Sequence, residues 1–360
     1  MRRTRGRIVV VAALDDLDRR LATGARRLVG WRVVGLDLRE RSEVLAACDT
    51  SRATFVGCRF AAGEAERLVA TGALLLPGVE RAPVDPQPTT LYAPDELYDA
   101  TPYERSLDAR AYAWSQSAQE PDAVLARVLH DGAIDDALAA WVSGRRVVGV
   151  MGGHALERGS RGYADAARLT RVLGATRTVA TGGGPGAMEA ANLGAALAHE
   201  DGAALDRALG VLASVPSFRP SIDDWVAAAR QVLEQHPDPA PSLGVPTWHY
   251  GHEPPNLFAT AIAKYFRNAQ REAILLEVCN AGIVFLPGAA GTVQEVFQDA
   301  CENYYAAEES VAPMVLVGAE YWTRTLPAWP LLQALAEGRP MAPHVHLVDA
   351  LDEAADVLGG

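Results

Sequence analysis

Thr292 and Glu295 stand directly behind a loop of small residues, Gly288, Ala289, Ala290 and Gly291, in the stretch LPGAAGTVQEVFQDACENYY (286–305). A loop of that kind at the mouth of a helix lets the backbone come close to a ligand. It also turns the unpaired amides of the first helical turn toward an anion. The Thr292 hydroxyl adds a donor for a phosphate oxygen, and Glu295 places a carboxylate one turn further in. The same spacing, Thr followed three residues later by Glu, also fits a helix capping box. Spacing alone leaves both readings open.

A second loop has the same layout. TGGGPGAMEAAN (181–192) follows a strand-like run and opens a helical pattern, with Gly182, Gly183, Gly184 and Gly186 in the turn and Met188 and Glu189 in the first helical turn. Three consecutive glycines exceed what a tight turn requires, which favours phosphate or nucleotide binding. A third apolar run, RRVVGVMGG, ends in Gly152 and Gly153. Upstream of the Pro287 loop, the stretch NLFATAIAKYFRNAQREAILLEV (256–278) predicts a helix capped by Asn256, with Lys264, Arg267 and Arg271 on one face. Lys264 is the only lysine in the chain.

These residues need a scaffold that brings distant loops together. From 145 onward, short apolar runs closed by glycine or proline alternate with helical patterns, which predicts a doubly wound parallel α/β sheet with helices on both faces. In such sheets ligands bind at the carboxyl ends of the strands, where the glycine loops fall. Residues 1–105 read as a smaller α/β unit, and 106–144 as a helical connector that stops at Gly144, with His130 and Asp131 at solvated positions. Residues 145–360 form the larger domain.

The bulk composition narrows the partners. The chain has 360 residues, 49% of them hydrophobic, and a formal net charge of −12. That charge disfavours a broad grip on nucleic acid. No run approaches the ~20 apolar residues of a membrane span. MRRTRGRIVVVAALDD has a short apolar part, cut off by Asp15 and Asp16 without a cleavage region, so a cytoplasmic protein is expected. Cys48, Cys58, Cys279 and Cys301 form no CxxC pair, and His249, His252 and Glu253 in HYGHE lack a second cluster. No metal and no cofactor are expected. The glycine- and proline-bearing segment HYGHEPPN reads as a lid or an exposed connection, with Trp248, Tyr250 and His252 as possible contacts to a base.

In combination, GGGPGAMEAAN, an arginine in an upstream helix and PGAAGTVQE resemble the LOG-like family, often labelled lysine decarboxylase-like. The resemblance covers about residues 145–320, and the order of the motifs is more specific than either motif alone. It implies a Rossmann-like fold, a homodimer or higher homo-oligomer, and hydrolysis of the N-glycosidic bond of nucleoside 5′-monophosphates to free base and ribose 5-phosphate. The family's PGGxGTxxE falls on residues 287–295, making Glu295 its essential glutamate and Arg271 its upstream arginine. Three departures stand out. Ala289 replaces the second glycine, a change expected to tighten the loop, Glu272 follows the arginine where plant-type enzymes have lysine, and the spacing from Arg271 to Pro287 is one residue longer than in compact members.

The implied chemistry suits the residue types. Cleaving a ribosyl C–N bond builds positive charge on the sugar, which a carboxylate stabilises or uses to activate water, while an arginine holds the substrate or the departing base. The main alternative is a nucleotide-binding or sensing protein without turnover on the same fold. Amino-acid decarboxylation would need a pyridoxal-phosphate lysine, for which only Lys264 exists. A dehydrogenase is disfavoured because no GxGxxG is followed by a ribose-binding acid.

Overall fold

The computed structural model describes residues 9–78, 82–117, 120–249 and 253–359. Its residues divide into two compact units, 1–89 with 118–136, and 90–117 with 137–360. The sequence reading instead ended the first unit at 105 and set 106–144 apart. Residues 90–117 go with the larger unit because they pair with it: Tyr92 exchanges backbone hydrogen bonds of 3.0 and 2.9 Å with Ile262.

The smaller unit is a four-stranded parallel sheet in simple sequential order, β1 (Val9–Val11), β2 (Trp31–Val34), β3 (Thr54–Val56) and β4 (Leu74–Leu76). Helices α1 (Leu14–Ala22), α2 (Ser42–Ala46) and α3 (Glu64–Ala70) return the chain between the strands. The register aligns Val11, Val33, Phe55 and Leu75, so successive coils are 22, 22 and 20 residues long. This near-repeat, with VVGLDL echoed by FVGCRF, is absent from the sequence reading and marks a short stack of similar coils. Its core is Val11, Leu17, Val33, Leu45, Phe55 and Leu68, all essentially without exposure.

Three helices precede the large sheet, α4 (Pro94–Leu97), α5 (Leu107–Ser117) and α6 (Pro121–Val142). Helix α6 stops just before Gly144, whose φ of +77° suits glycine at a helix end. His130 and Asp131 are not solvated as expected: they are 0% and 1% exposed, with His130 Nδ1 3.1 Å from Asp131 Oδ1.

The larger unit carries seven parallel strands. In chain order they are β5 (Val147–Met151), β6 (Thr178–Thr181), β7 (Ser242–Gly244), β8 (Ala261–Ile262), β9 (Ile283–Phe285), β10 (Met314–Val317) and β11 (Val345–Val348). Their order across the sheet is β11-β10-β9-β5-β6-β7-β8. Helices α7 (Arg161–Gly174), α8 (Ala187–Ala196), α9 (Gly202–Leu212), α10 (Ile222–Gln235), α11 (Asn268–Val278), α12 (Ala290–Tyr305), α13 (Ala328–Ala336) and α14 (Leu351–Val357) connect them. Every residue of β5, β6, β9 and β10 is buried, as central strands covered on both faces must be. The doubly wound α/β fold is therefore present. The chain moves outward from β5 through β6, β7 and β8, then returns to place β9 on the other side of β5. That reversal is the switch point at which the carboxyl ends of adjacent strands diverge and leave a crevice.

The helix predicted over 256–278 begins only at Asn268. Residues 256–267 instead run into β8, and Thr247 bridges to Tyr265 in parallel. Sheet pairing overrides the helical pattern because the segment is almost wholly buried, with Thr260 half-buried and Arg267 exposed at its end. Asn256 therefore caps no helix, and Lys264, Arg267 and Arg271 do not share one helical face. Lys264 is buried, its Nζ 2.5 Å from Asp108 Oδ1, which also accepts a 2.8 Å bond from Trp248 Nε1. Burial lowers the Lys264 pKa, and the Asp108 carboxylate acts against that.

Candidate functional site

The loops leaving β5, β6 and β9 meet at the switch point around a cavity of about 680 Å³. Gly152 and Gly153 line it from the first loop, with Gly182, Gly184 and Met188 from the second. Gly288, Gly291, Thr292 and Glu295 contribute from the third, and Arg271 from α11. Three expected binding residues lie elsewhere. Gly183 turns beneath Pro246, Gly186 caps α8 at the wall of a smaller cavity of about 260 Å³, and Glu189 faces that second cavity.

Glu189 is occupied by structure. Arg158 Nε donates to its Oε2 at 2.9 Å, the pair is almost completely buried, and the guanidinium lies 4.7 Å from the Trp225 ring centre. On the helix that begins at Ala187, position 189 turns off the cavity while 188 turns onto it.

Two glycines are required by close approach. A Cβ on Gly186, whose φ is +73°, would come within 2.6 Å of the carbonyl oxygens of Gly153 and His154. A Cβ on Gly288 would sit 2.1 Å from Thr292 Oγ1. Gly291, by contrast, has open space around the Cβ position. Ala289 is the N-cap of α12 at φ −92°, outside the left-handed region that calls for glycine.

The start of α12 also decides the capping question. With Ala289 as N-cap, Thr292 is the third helical residue and not the cap, so the capping box is absent. Glu295 is thereby released to the cavity. Its Oε1 lies 3.7 Å from Arg271 Nη1, and both side chains are 12% exposed. Burial raises the Glu295 carboxyl to about 7; Arg271 acts against that shift and Glu272 adds to it. Glu272 is itself held, accepting from Gln294 Nε2 at 2.6 Å and Asn268 Nδ2 at 2.8 Å. Arg271 is fixed by donation from Nε to the Val245 carbonyl at 2.7 Å and from Nη2 to the Gly182 carbonyl at 3.3 Å.

An amide network that the sequence reading missed holds the triple-glycine loop. Asn256 is fully buried; its Nδ2 donates to the Gly184 carbonyl at 3.1 Å and to Asn192 Oδ1 at 3.0 Å. Its Oδ1 accepts from the amides of Phe258 and Ala259, both at 3.1 Å. Thr181 Oγ1 donates to Asn192 Oδ1 at 2.7 Å and accepts from the Gly183 amide at 2.9 Å. The available signal was an asparagine set inside each of two apolar runs, AANLG and PPNLF, since buried amides are retained where every polar atom is paired. Tyr321, also missed, lines the cavity and donates to the Gly288 carbonyl at 2.7 Å.

Trp248 does not line the cavity. It is 2% exposed and stacks on Phe266 at 4.5 Å. Tyr250 and His252 lie outside the described residues. Among the described residues no group of three or more His, Cys, Asp and Glu side chains is arranged to hold a metal ion, and no helix is long and apolar enough to cross a membrane.

No family model matches the chain, and no curated protein matches it. Among solved structures, the chain is similar to the molybdenum cofactor binding protein from the phototrophic bacterium Rippkaea orientalis, at 14% identity and a TM-score of 0.38, over 60% of this chain and 96% of that one. It is similar to the Moco carrier protein from Chlamydomonas reinhardtii at 16% identity and the same TM-score, again over 60% and 96%. A likeness at that level carries no inference about what this chain binds.

Proposed function

We propose that the chain hydrolyses the N-glycosidic bond of nucleoside 5′-monophosphates, releasing the free base and ribose 5-phosphate. The observation that carries this reading is the meeting of Arg271 and Glu295, 3.7 Å apart, in the cavity bordered by the glycine loops and the first turn of α12. The amides at the start of that sixteen-residue helix receive the 5′-phosphate. Phosphate binding then positions the ribose against Glu295. The ionised carboxylate stabilises the positive charge that develops on the sugar and accepts a proton from the attacking water. Arg271, anchored on two carbonyls, supplies a fixed positive charge for the substrate side. The resemblance to LOG-like proteins supports the same assignment, because its glutamate and arginine positions are the two residues that meet.

A nucleotide-binding protein without turnover is the second reading. What favours it is the burial of Glu295, which raises its carboxyl to about 7 and so works against the ionised form that turnover uses.

The test is product analysis. Purified protein is incubated separately with AMP, GMP, CMP, UMP and IMP, and free base and ribose 5-phosphate are assayed beside a Glu295→Gln variant. Release of both products by the wild type, falling by roughly 10²–10⁴ in the variant, is expected. Measurable nucleotide binding without base release would establish the second reading.

A further inference from the structure

The cavity holds another ionisable pair, to which the chemistry above gives no part. His154 follows Gly153 in the loop leaving β5, and Glu253 stands in the segment between β7 and β8. His154 Nδ1 and Glu253 Oε1 are 3.5 Å apart, with the side chains 55% and 21% exposed. Both line the large cavity. At that distance the carboxylate is an ion-pair partner for a protonated imidazole on its Nδ1 side, which leaves Nε2 to pass a proton to a ligand. His154 also lines the smaller cavity, together with Phe218 and Trp225. It therefore borders both cavities.

N-glycosidic cleavage places an electron pair on a ring nitrogen of the departing base, and a purine or pyrimidine leaves far more readily once protonated. Arg271 cannot supply that proton, since a guanidinium stays protonated at any relevant pH. Glu295 is committed to the sugar and the attacking water. The geometry points to His154, paired with Glu253, as the general acid that protonates the leaving base; this inference rests on the N-glycosidase reading. The C1′–N bond breaks and its electron pair goes to the base. The proton on His154 Nε2 passes to a ring nitrogen of that base. A water oxygen bonds to C1′, and its proton goes to the Glu295 carboxylate. Solvent then returns a proton to the imidazole and removes one from Glu295, so the net change is hydrolysis.

The experiment compares leaving groups. Wild type, His154→Gln and Glu253→Gln are assayed with AMP and with 4-nitrophenyl ribofuranoside 5-phosphate, whose nitrophenolate departs without protonation. His154→Gln is expected to lose roughly 10²–10³ in kcat on AMP and less than about fivefold on the nitrophenyl substrate, with Glu253→Gln showing the same pattern at smaller size. Equal losses on both substrates, or none on AMP, would overturn the assignment. Cleavage of neither substrate by the wild type would remove the N-glycosidase reading itself, a result distinct from a wild type that cleaves both and a variant that fails to discriminate.

Discussion

Asn256→Ala tests whether the triple-glycine loop is held from outside itself. The substitution removes two donations, to the Gly184 carbonyl at 3.1 Å and to Asn192 Oδ1 at 3.0 Å. It also strands the amides of Phe258 and Ala259, which lose the oxygen they share. The site has no exposure, so bulk water does not replace these partners. Two lost donations at about 1 kcal/mol each and two stranded buried amides at about 1–3 kcal/mol each put the total at roughly 4–8 kcal/mol. Urea denaturation followed by tryptophan fluorescence reads this directly, because Trp225, Trp248 and Trp322 are buried in the larger unit. Asn192→Ala should be less than additive with Asn256→Ala by at least about 0.5 kcal/mol, since the two share a bond. A loss below about 1 kcal/mol for Asn256→Ala, or strict additivity, would refute the view that this network positions the loop.

Gly288→Ala is expected to lower kcat/KM at least about tenfold because its Cβ would lie 2.1 Å from Thr292 Oγ1, whereas Gly291→Ala, with open space at that point, should change it less than about threefold; steady-state kinetics on the best monophosphate separates them. Lys264→Met leaves Asp108 buried without its cation and should cost about 3–5 kcal/mol in thermal denaturation, part of it recovered by adding Asp108→Asn. Burial raises Asp299 from 3.8 to about 8, and its Oδ2 has no hydrogen-bond partner. A carboxyl raised on folding favours the protonated folded state, so its stabilising effect is full below its unfolded pKa of about 4 and lost as pH rises through about 8. Asp299→Asn should therefore match the wild type near pH 4 and be the more stable protein at pH 9, and equal denaturation midpoints at pH 9 would refute this.

The central strands β5, β9 and β10 of the large sheet were legible because each is an apolar run closed by glycine or proline. Buried parallel strands advertise themselves as continuous runs. The glycine loops were legible for a related reason: Gly186 and Gly288 occupy positions where any Cβ would collide, so the residue type records the geometry. The segment 256–267 was not. Its apolar spacing fits a helix as well as a covered strand, and only pairing with β7 and with Tyr92 decides between them. Glu189 misled for a different reason. Proximity to a glycine loop says nothing about which side of α8 a residue faces, and its partner, Arg158, is 31 residues away in the chain. His154 and Glu253 were invisible as a pair because the contact joins the loop after β5 to the segment beyond β7, across most of the unit's first half.

The way Arg271 is held constrains how any anion sits in this cavity. Its Nε and one N–H of Nη2 are used on the carbonyls of Val245 and Gly182, which leaves the second N–H of Nη2 and both of Nη1, the nitrogen that lies 3.7 Å from Glu295. A guanidinium anchored on two carbonyls meets an anion only where it stands, through the N–H groups that remain on Nη1 and Nη2. Glu253, Glu272 and Glu295 also line the cavity, so its side chains repel anions more than they attract them. On the proposed reading a phosphate would be received by backbone, at the Gly288–Thr292 turn and the first amides of α12, where the helix dipole and unpaired N–H groups favour negative charge. The carboxylates are left for the part of a ligand that carries or develops positive charge. That division, anion on the amides and cationic character beside Glu295, is what a phosphoribosyl group passing through an oxocarbenium-like state requires.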